Sequence, residues 1–247
     1  MEILQLLSFS NLKASEIAKK SNASIQAISR HIDRLHNVRL IEKTEYGTYK
    51  LTTVGNVILQ QYPFFEFLEK FKGYFETHDF SGVPDHLIAR LGDLKNCELE
   101  TNTMKALQKA RDWAANMKEW EKGVTFTIPL EYFDEVLDSV KNGAIQKIVY
   151  GKNSIVPKGF SDYPARKKWL EYKKSGQVQE KIVKSVPLVA GVSENEAHLI
   201  FANKQIGFPD CKSVFFSKDP KFMKWCEDLV EYYWSLPEVK NFKLIEK

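Results

Sequence analysis

Gln26, Arg30 and Arg34 recur every four residues, which at 100° per residue sets them along one side of a helix. The residue types suit a specific chemistry. A guanidinium can donate in pairs to guanine O6 and N7, and a carboxamide can pair with adenine N6 and N7 in the major groove. Ser24 and Ala27, at the start of the same stretch, belong to the same candidate set. Lys13, Lys19, Lys43 and Lys50 are placed to meet phosphates, with Tyr46 at the tip of an intervening turn. Charge supports this reading. Residues 1–52 carry eight Lys/Arg against five Asp/Glu, or +3 of the whole chain's +4, so a small basic segment precedes a nearly neutral body and points to a polyanionic partner, double-stranded DNA.

No comparable set supports catalysis. None of the five histidines is followed two places on by lysine, which removes the His-x-Lys pair of phosphodiester chemistry. Gly151-Lys152-Asn153-Ser154 lacks the upstream glycine that a phosphate loop requires. His78-Asp79 and Asp85-His86 are adjacent pairs whose side chains point apart, so turn and capping contacts are expected of them. His31 and His36 alone are too few for a metal. Cys97, Cys211 and Cys226 form no CxxC pair, as a reducing compartment permits. The expectation is a protein that is not an enzyme, with no catalytic residue, metal or cofactor.

The elements that must hold the candidate row follow from periodicity. Short helices are predicted over residues 3–7 and 14–20, with a tight turn at 21–23 and Ser24 as N-cap of a third helix. In that helix Ile25, Ile28, Ile32 and Leu35 form the apolar stripe opposite the row. Asn37 is expected in the left-handed conformation that ends it. Residues 40–44 and 48–51 read as a hairpin around Glu45-Tyr46-Gly47. From Thr53 the pattern is helical again, with Val54, Val57, Ile58, Phe64, Phe65, Leu68, Phe71 and Phe75 as an apolar face and Pro63 as a kink or restart. That face suits a dimerisation helix; an ordinary core helix is the other reading.

Beyond His78, strand-like and helix-like segments alternate. Strands are expected at 97–101, 124–128, 145–150, 178–186, 189–192, 197–202 and 214–216, and helices at 104–120, 130–140 and 165–174. Asp219 caps a last helix with Pro220 at its first position. The fold class expected is an α+β helix-turn-helix domain followed by an α/β domain with a mixed sheet, since residues 189–202 read as a hairpin. Aromatics make up 13% of the 247 residues; most must be core, and some suit an apolar effector pocket. No apolar run reaches the ~20 residues of a membrane span, and residues 1–5 lack the features of a signal peptide, so a cytoplasmic location is expected.

Residues 15–35, with Leu40-Ile41 and Leu51-Thr52-Thr53-Val54-Gly55, resemble archaeal and bacterial winged helix-turn-helix regulators of the ArsR-like type. Arg39 stands where that pattern usually has glycine, and the first helix is short. Residues from about 74 to 234 resemble the regulatory domain of archaeal methanogenesis and filamentation regulators. The resemblance rests on residues 78–87, Arg90-Leu91-Gly92-Asp93-Leu94, and Trp225 with Tyr232-Tyr233-Trp234. Related sugar-sensing archaeal regulators pair a winged helix with a phospholipase-D-like domain, here non-catalytic. Together the resemblances imply a DNA-binding domain at 1–55, a linker or dimerisation helix at 56–76, and a regulatory domain at 77–247. The implied function is that of a homodimeric, sequence-specific transcription regulator whose DNA affinity an unknown small-molecule effector modulates. The alternative is a winged-helix protein-interaction module on a purely structural dimerisation domain.

Overall fold

The computed structural model describes residues 1–240, Asn153 by its backbone alone. The chain forms two compact units, Met1–Glu66 and Phe67–Lys247. The last residues of the regulatory domain expected over 77–247 lie outside the described residues.

In the first unit, α1 (Glu2–Phe9), α2 (Ala14–Lys20) and α3 (Ile25–Asn37) precede a hairpin of β1 (Ile41–Lys43) and β2 (Tyr49–Leu51), paired antiparallel with Ile41 opposite Leu51. Leu12 forms an isolated antiparallel bridge with Tyr49 of that hairpin. Then α4 (Thr53–Lys70) begins; its last four residues belong to the second unit. The core is Ile3, Leu4, Leu7, Leu12, Ile17, Ala18, Ile28, Ile32 and Ile41, with Leu35 and Leu59 packed against it. Glu16 Oε2 accepts from the Lys13 N–H at 2.7 Å and Ser24 Oγ from the Ala27 N–H at 3.2 Å, so α2 and α3 each start on a side-chain cap. Ile25 departs from the expected stripe. It is 53% exposed, because as the first helical residue it precedes the turn at which α3 meets the core.

Both α2 and α3 end in the same way. Ala23 N–H reaches Ala18 O, and Leu40 N–H reaches Leu35 O, leaving Asn22 (φ 49°) and Arg39 (φ 57°) in the left-handed region, as in a Schellman motif. Asn37 is therefore not the left-handed residue. It is the last residue of α3, and the turn falls two positions later, on the arginine that replaces the usual glycine. Beyond it, Thr52 ties the hairpin to α4. Its Oγ1 donates to Arg39 O at 2.7 Å and accepts from the Gly55 N–H at 3.0 Å. Gly55 lies against this turn: a Cβ there would sit 2.0 Å from Leu40 O.

The second unit contains α5 (Lys72–Phe75), β3 (His78–Asp79), α6 (Asp85–Ile88), β4 (Glu98–Glu100), α7 (Thr103–Asn116), β5 (Trp120–Thr127), α8 (Phe133–Lys141), β6 (Ile145–Ile155), α9 (Arg166–Ser175), β7 (Val178–Val183), β8 (Val189–Ser193), β9 (Ala197–Ile200), β10 (Ala202–Asn203), β11 (Val214–Ser217) and α10 (Pro220–Ser235), with short 3-10 turns between them. Seven strands form one sheet in the order β4-β11-β9-β8-β5-β6-β7. β5, β6 and β7 run parallel, joined by α8 and α9; every other pairing is antiparallel. The sheet is mixed, as its hairpin implies. Side chains of α7, α8 and α9 pack on one face, where Trp113, Phe133, Val136 and Trp169 meet Ile148, Tyr150 and Val178. α10 covers the other face, where Lys122 bridges Glu227 and Glu231 and Lys147 bridges Glu231. At the edges, β4 is three residues long and carries Glu98 and Glu100. The β7 edge is met by Val239, whose N–H donates to Ile182 O at 2.8 Å.

Several boundaries differ from expectation. The helix expected to residue 120 ends at Asn116, because Trp120 pairs with β6 and the residues from Glu121 pair with both β6 and β8. The helix expected at 130–140 splits into a 3-10 turn (Leu130–Tyr132) and α8. β6 runs on to Ile155, taking in Gly151-Lys152-Asn153-Ser154, where the Gly151 N–H donates to Ser154 Oγ; this stretch is strand, not a loop. Pro63 neither breaks nor restarts α4, which passes through it. The expected linker 56–76 is shared between the units: Leu59 packs in the first core, and Phe67, Phe71 and Tyr74 are buried in the second.

Candidate nucleic-acid interface and a buried cavity

On α3 the face opposite Ile28 and Ile32 carries Gln26, Arg30 and Arg34, all exposed. Neither guanidinium has an ion-pair or hydrogen-bond partner among the described residues, so both keep all five N–H donors for an external acceptor. Ser24 is exposed and Ala27 half-buried; the Ser24 oxygen is already used as the α3 cap, leaving its hydroxyl proton free to donate. Lys13, Lys19 and Lys43 are exposed. Lys50 is different: it pairs with Glu42 across the hairpin at 2.9 Å, with both side chains about half exposed, so its cation is partly neutralised. Tyr46 stands at the hairpin tip, 80% exposed, beside Gly47 at φ 72°. Helix, turn, helix and a hairpin with an exposed tip complete a known architecture. Residues 1–70 match the winged helix-turn-helix family model. The first unit is a winged helix-turn-helix domain. In its terms α3 is the recognition helix, and β1 and β2 are the wing.

The apolar face proposed as a dimer seam is divided. Val54, Val57, Ile58 and Phe65 are exposed, at 55%, 52%, 43% and 61%, and lie on the part of α4 that belongs to the winged helix-turn-helix domain. Phe64 and Leu68 are half-buried. Phe71 is buried, packed edge-on to Phe67 and Phe215, and Phe75 packs on Phe67, Phe80 and Phe201. These two are corrected from seam to core, because the chain has entered the aromatic centre of the second unit by Phe67.

The second unit holds a polar cluster that periodicity did not single out. Glu121, Gln146 and His198 are 7%, 2% and 7% exposed and project toward the helices α7, α8 and α9. Gln146 Nε2 donates to Glu121 Oε2; the two residues are cross-strand neighbours on β5 and β6. Burial pushes the Glu121 carboxyl up to about 7, and holds His198 down to about 4, so the imidazole is neutral at neutral pH. Gln146 Oε1 and His198 Nδ1 have no hydrogen-bond partner among the described residues. Both line a cavity of about 50 Å³, along with Trp113, Tyr132, Tyr150 and Trp169. A larger cavity of about 300 Å³, mainly apolar, shares Thr125, Ile128, Pro129, Tyr132, Val189 and His198 with it. The sequence offers only Gln146, two places before the buried Ile148 on the same side of the strand, which marks one buried polar group without naming its partners.

His78 proves structural. Its ring stacks on Tyr74 at 3.9 Å, and Nδ1 lies 2.9 Å from Thr77 Oγ1 and 3.1 Å from Tyr74 O. Asp79 accepts from the Ser81 N–H, the turn contact expected of it. Among the described residues, no three His, Cys, Asp or Glu side chains are grouped to hold a metal, and no helix is long and apolar enough to cross a membrane.

No curated protein matches the chain. Among solved structures, TrmBL2, an archaeal chromatin protein with a novel mode of DNA binding, is 14% identical over 94% of this chain and 89% of that one, with a TM-score of 0.43. NucT from Helicobacter pylori is 12% identical over 57% of this chain and 94% of its own, with a TM-score of 0.39. Nuc from Salmonella typhimurium, a phospholipase D family member, is 12% identical over 62% of this chain and 100% of its own, with a TM-score of 0.34.

Proposed function

We propose that this protein is a sequence-specific DNA-binding transcription regulator that acts as a homodimer and whose second unit senses a small-molecule effector. The observation that carries the reading is the exposed row Gln26, Arg30 and Arg34 on the recognition helix, whose guanidiniums have no partner among the described residues. Arginines left unpaired on a helix face, between an N-terminal cap and a wing, suit the edge and phosphate contacts of a duplex. The row itself carries no apolar or aromatic residue, whereas a protein-binding face would set its arginines among such anchors. Sequence specificity is tested by selecting duplexes from a random pool and measuring anisotropy at two salt concentrations. Arg30→Ala is expected to weaken the selected duplex by about 1–3 kcal/mol and to relax one base position. Equal loss on every sequence would make Arg30 a phosphate contact, and no duplex binding at either salt concentration would overturn the reading.

The dimer seam is assigned to Val54, Val57, Ile58 and Phe65. One winged helix reads only about half of a palindromic site, and such domains usually pair. Light scattering at micromolar concentration is expected to give twice the 28.6 kDa chain mass, and Ile58→Asp is expected to return the monomer. A wild-type mass that stays at 28.6 kDa across concentrations removes the seam.

A further inference from the structure

We propose that the small cavity walled by Glu121 and the rings of Trp113, Tyr132, Tyr150 and Trp169 binds the ammonium head of an organic amine, whose apolar body occupies the adjoining cavity. This deepens the effector reading above and rests on it for the link to DNA.

Three independent features point to a cation. First, Glu121 is a carboxyl buried without one. Its hydrogen-bond partner is the Gln146 amide; the other titratable groups around it are Tyr132, Tyr150 and a neutral His198, and among the described residues no lysine or arginine lines the cavity. A buried carboxylate is costly unless paired, and a bound ammonium would supply the pair. Second, the remaining walls are aromatic, and ring faces attract cations, more strongly when water is excluded. Third, two of the residues that line the cavity each carry a buried polar atom with no hydrogen-bond partner among the described residues, Gln146 Oε1 and His198 Nδ1. A primary ammonium has three N–H donors and no acceptor. The site offers three acceptors: a Glu121 oxygen, Gln146 Oε1, and His198 Nδ1 in the tautomer protonated on Nε2.

The space is kept open by the backbone. Gly123 and Gly191 are cross-strand neighbours on β5 and β8, and Gly191 faces His198 on β9. A Cβ at Gly191 would come within 2.3 Å of the His198 ring, and one at Gly123 within 2.9 Å of Ile148 Cδ1. The cavity of about 50 Å³ takes a head of only a few heavy atoms. The neighbouring 300 Å³, walled by residues such as Ala106, Leu107, Ile200 and Val214, suits a hydrocarbon body rather than a polyol.

The test uses hexylamine as probe, with 1-hexanol and hexanoate as isosteres, on the full chain at pH 8. All five tryptophans lie in the second unit, from Trp113 onward, so their fluorescence reports the melting of that unit alone. Hexylamine at about one hundred times its Kd is expected to raise Tm by about 5 °C, with a much smaller shift from the alcohol and none from the acid. Glu121→Gln is expected to weaken hexylamine at least about tenfold while the unit stays folded. Equal shifts from amine and alcohol, or undiminished binding by Glu121→Gln, would overturn the proposal. Duplex affinity measured with and without the amine separates the two readings. Amine binding that leaves duplex affinity unchanged keeps this site and overturns the effector reading. A chain that binds duplex but not amine overturns this site alone.

Discussion

At about pH 8 the Glu121→Gln variant is expected to be more stable than the wild-type protein by about 3 kcal/mol, a gap that closes below about pH 4.5. The folded carboxyl titrates near 7 because burial opposes its charge. Between the unfolded value near 4.5 and the folded value near 7, the folded state therefore holds the extra proton. Stability falls as pH rises through that window, and the full penalty is present above it. His198 acts in the opposite sense. Its folded value near 4 lies below the unfolded value of 6.5, so the unfolded state holds the extra proton and stability is lost as pH falls from 6.5 toward 4. The two windows overlap, and in the wild type the contributions of these two groups offset each other across them. Of these two groups the glutamine variant keeps only the histidine, and it should lose stability on acidification from pH 6.5 where the wild type does not. Urea unfolding followed by tryptophan fluorescence at several pH values measures both curves, and parallel wild-type and variant profiles would remove Glu121 as the titrating group.

Gly55→Ala should cost the winged helix-turn-helix domain about 3 kcal/mol or more, at the upper end of overpacking effects. The added Cβ would lie 2.0 Å from the Leu40 carbonyl oxygen, and a backbone atom cannot swing aside as a side-chain tip can. Relief requires α4 to move off the turn at Arg39 and Leu40. That movement would break the contacts of Thr52 with Arg39 O and the Gly55 N–H. Far-UV circular dichroism should show the first unit melting early, with tryptophan-detected melting unchanged. A single unshifted transition would show that the close approach of these backbones does not set the stability of the domain.

The parts that could be read from sequence are those where one physical signal is repeated. In the first unit the α3 stripe, the Ser24 cap, the turn at 21–23 and the hairpin supported one another, and the exposed row could be named from its spacing. The errors lie where two signals compete. Asn37 is a better left-handed residue than Arg39 by propensity, but the Leu40 N–H bonded to Leu35 O fixes the turn two residues later. Residues 117–120 continue the apolar periodicity of α7, yet pairing with Ile145 of β6 claims Trp120 for β5. Apolar residues recur along the whole run from Val54 to Phe75, so their spacing does not separate the exposed Val57 from Phe67, which is buried in a different core. The Glu121, Gln146 and His198 cluster was not legible, since its members stand 25 and 52 residues apart in sequence and meet only through the sheet order.

The way the seven-stranded sheet ends bears on how this protein keeps from associating wrongly. Outermost strands present unpaired backbone groups that can recruit other chains and seed fibrous aggregates. On one side the last strand spans only Glu98–Glu100, with Lys109 drawn to its carboxylates, so an incoming strand would gain few backbone bonds and meet charge. On the other, Val239 donates to Ile182 O, and the segment after α10 occupies a position another chain would otherwise take. Strand addition is discouraged at both margins. Were the proposed pairing to form on the exposed strip of α4, it would use side chains and close as a pair instead of growing without limit.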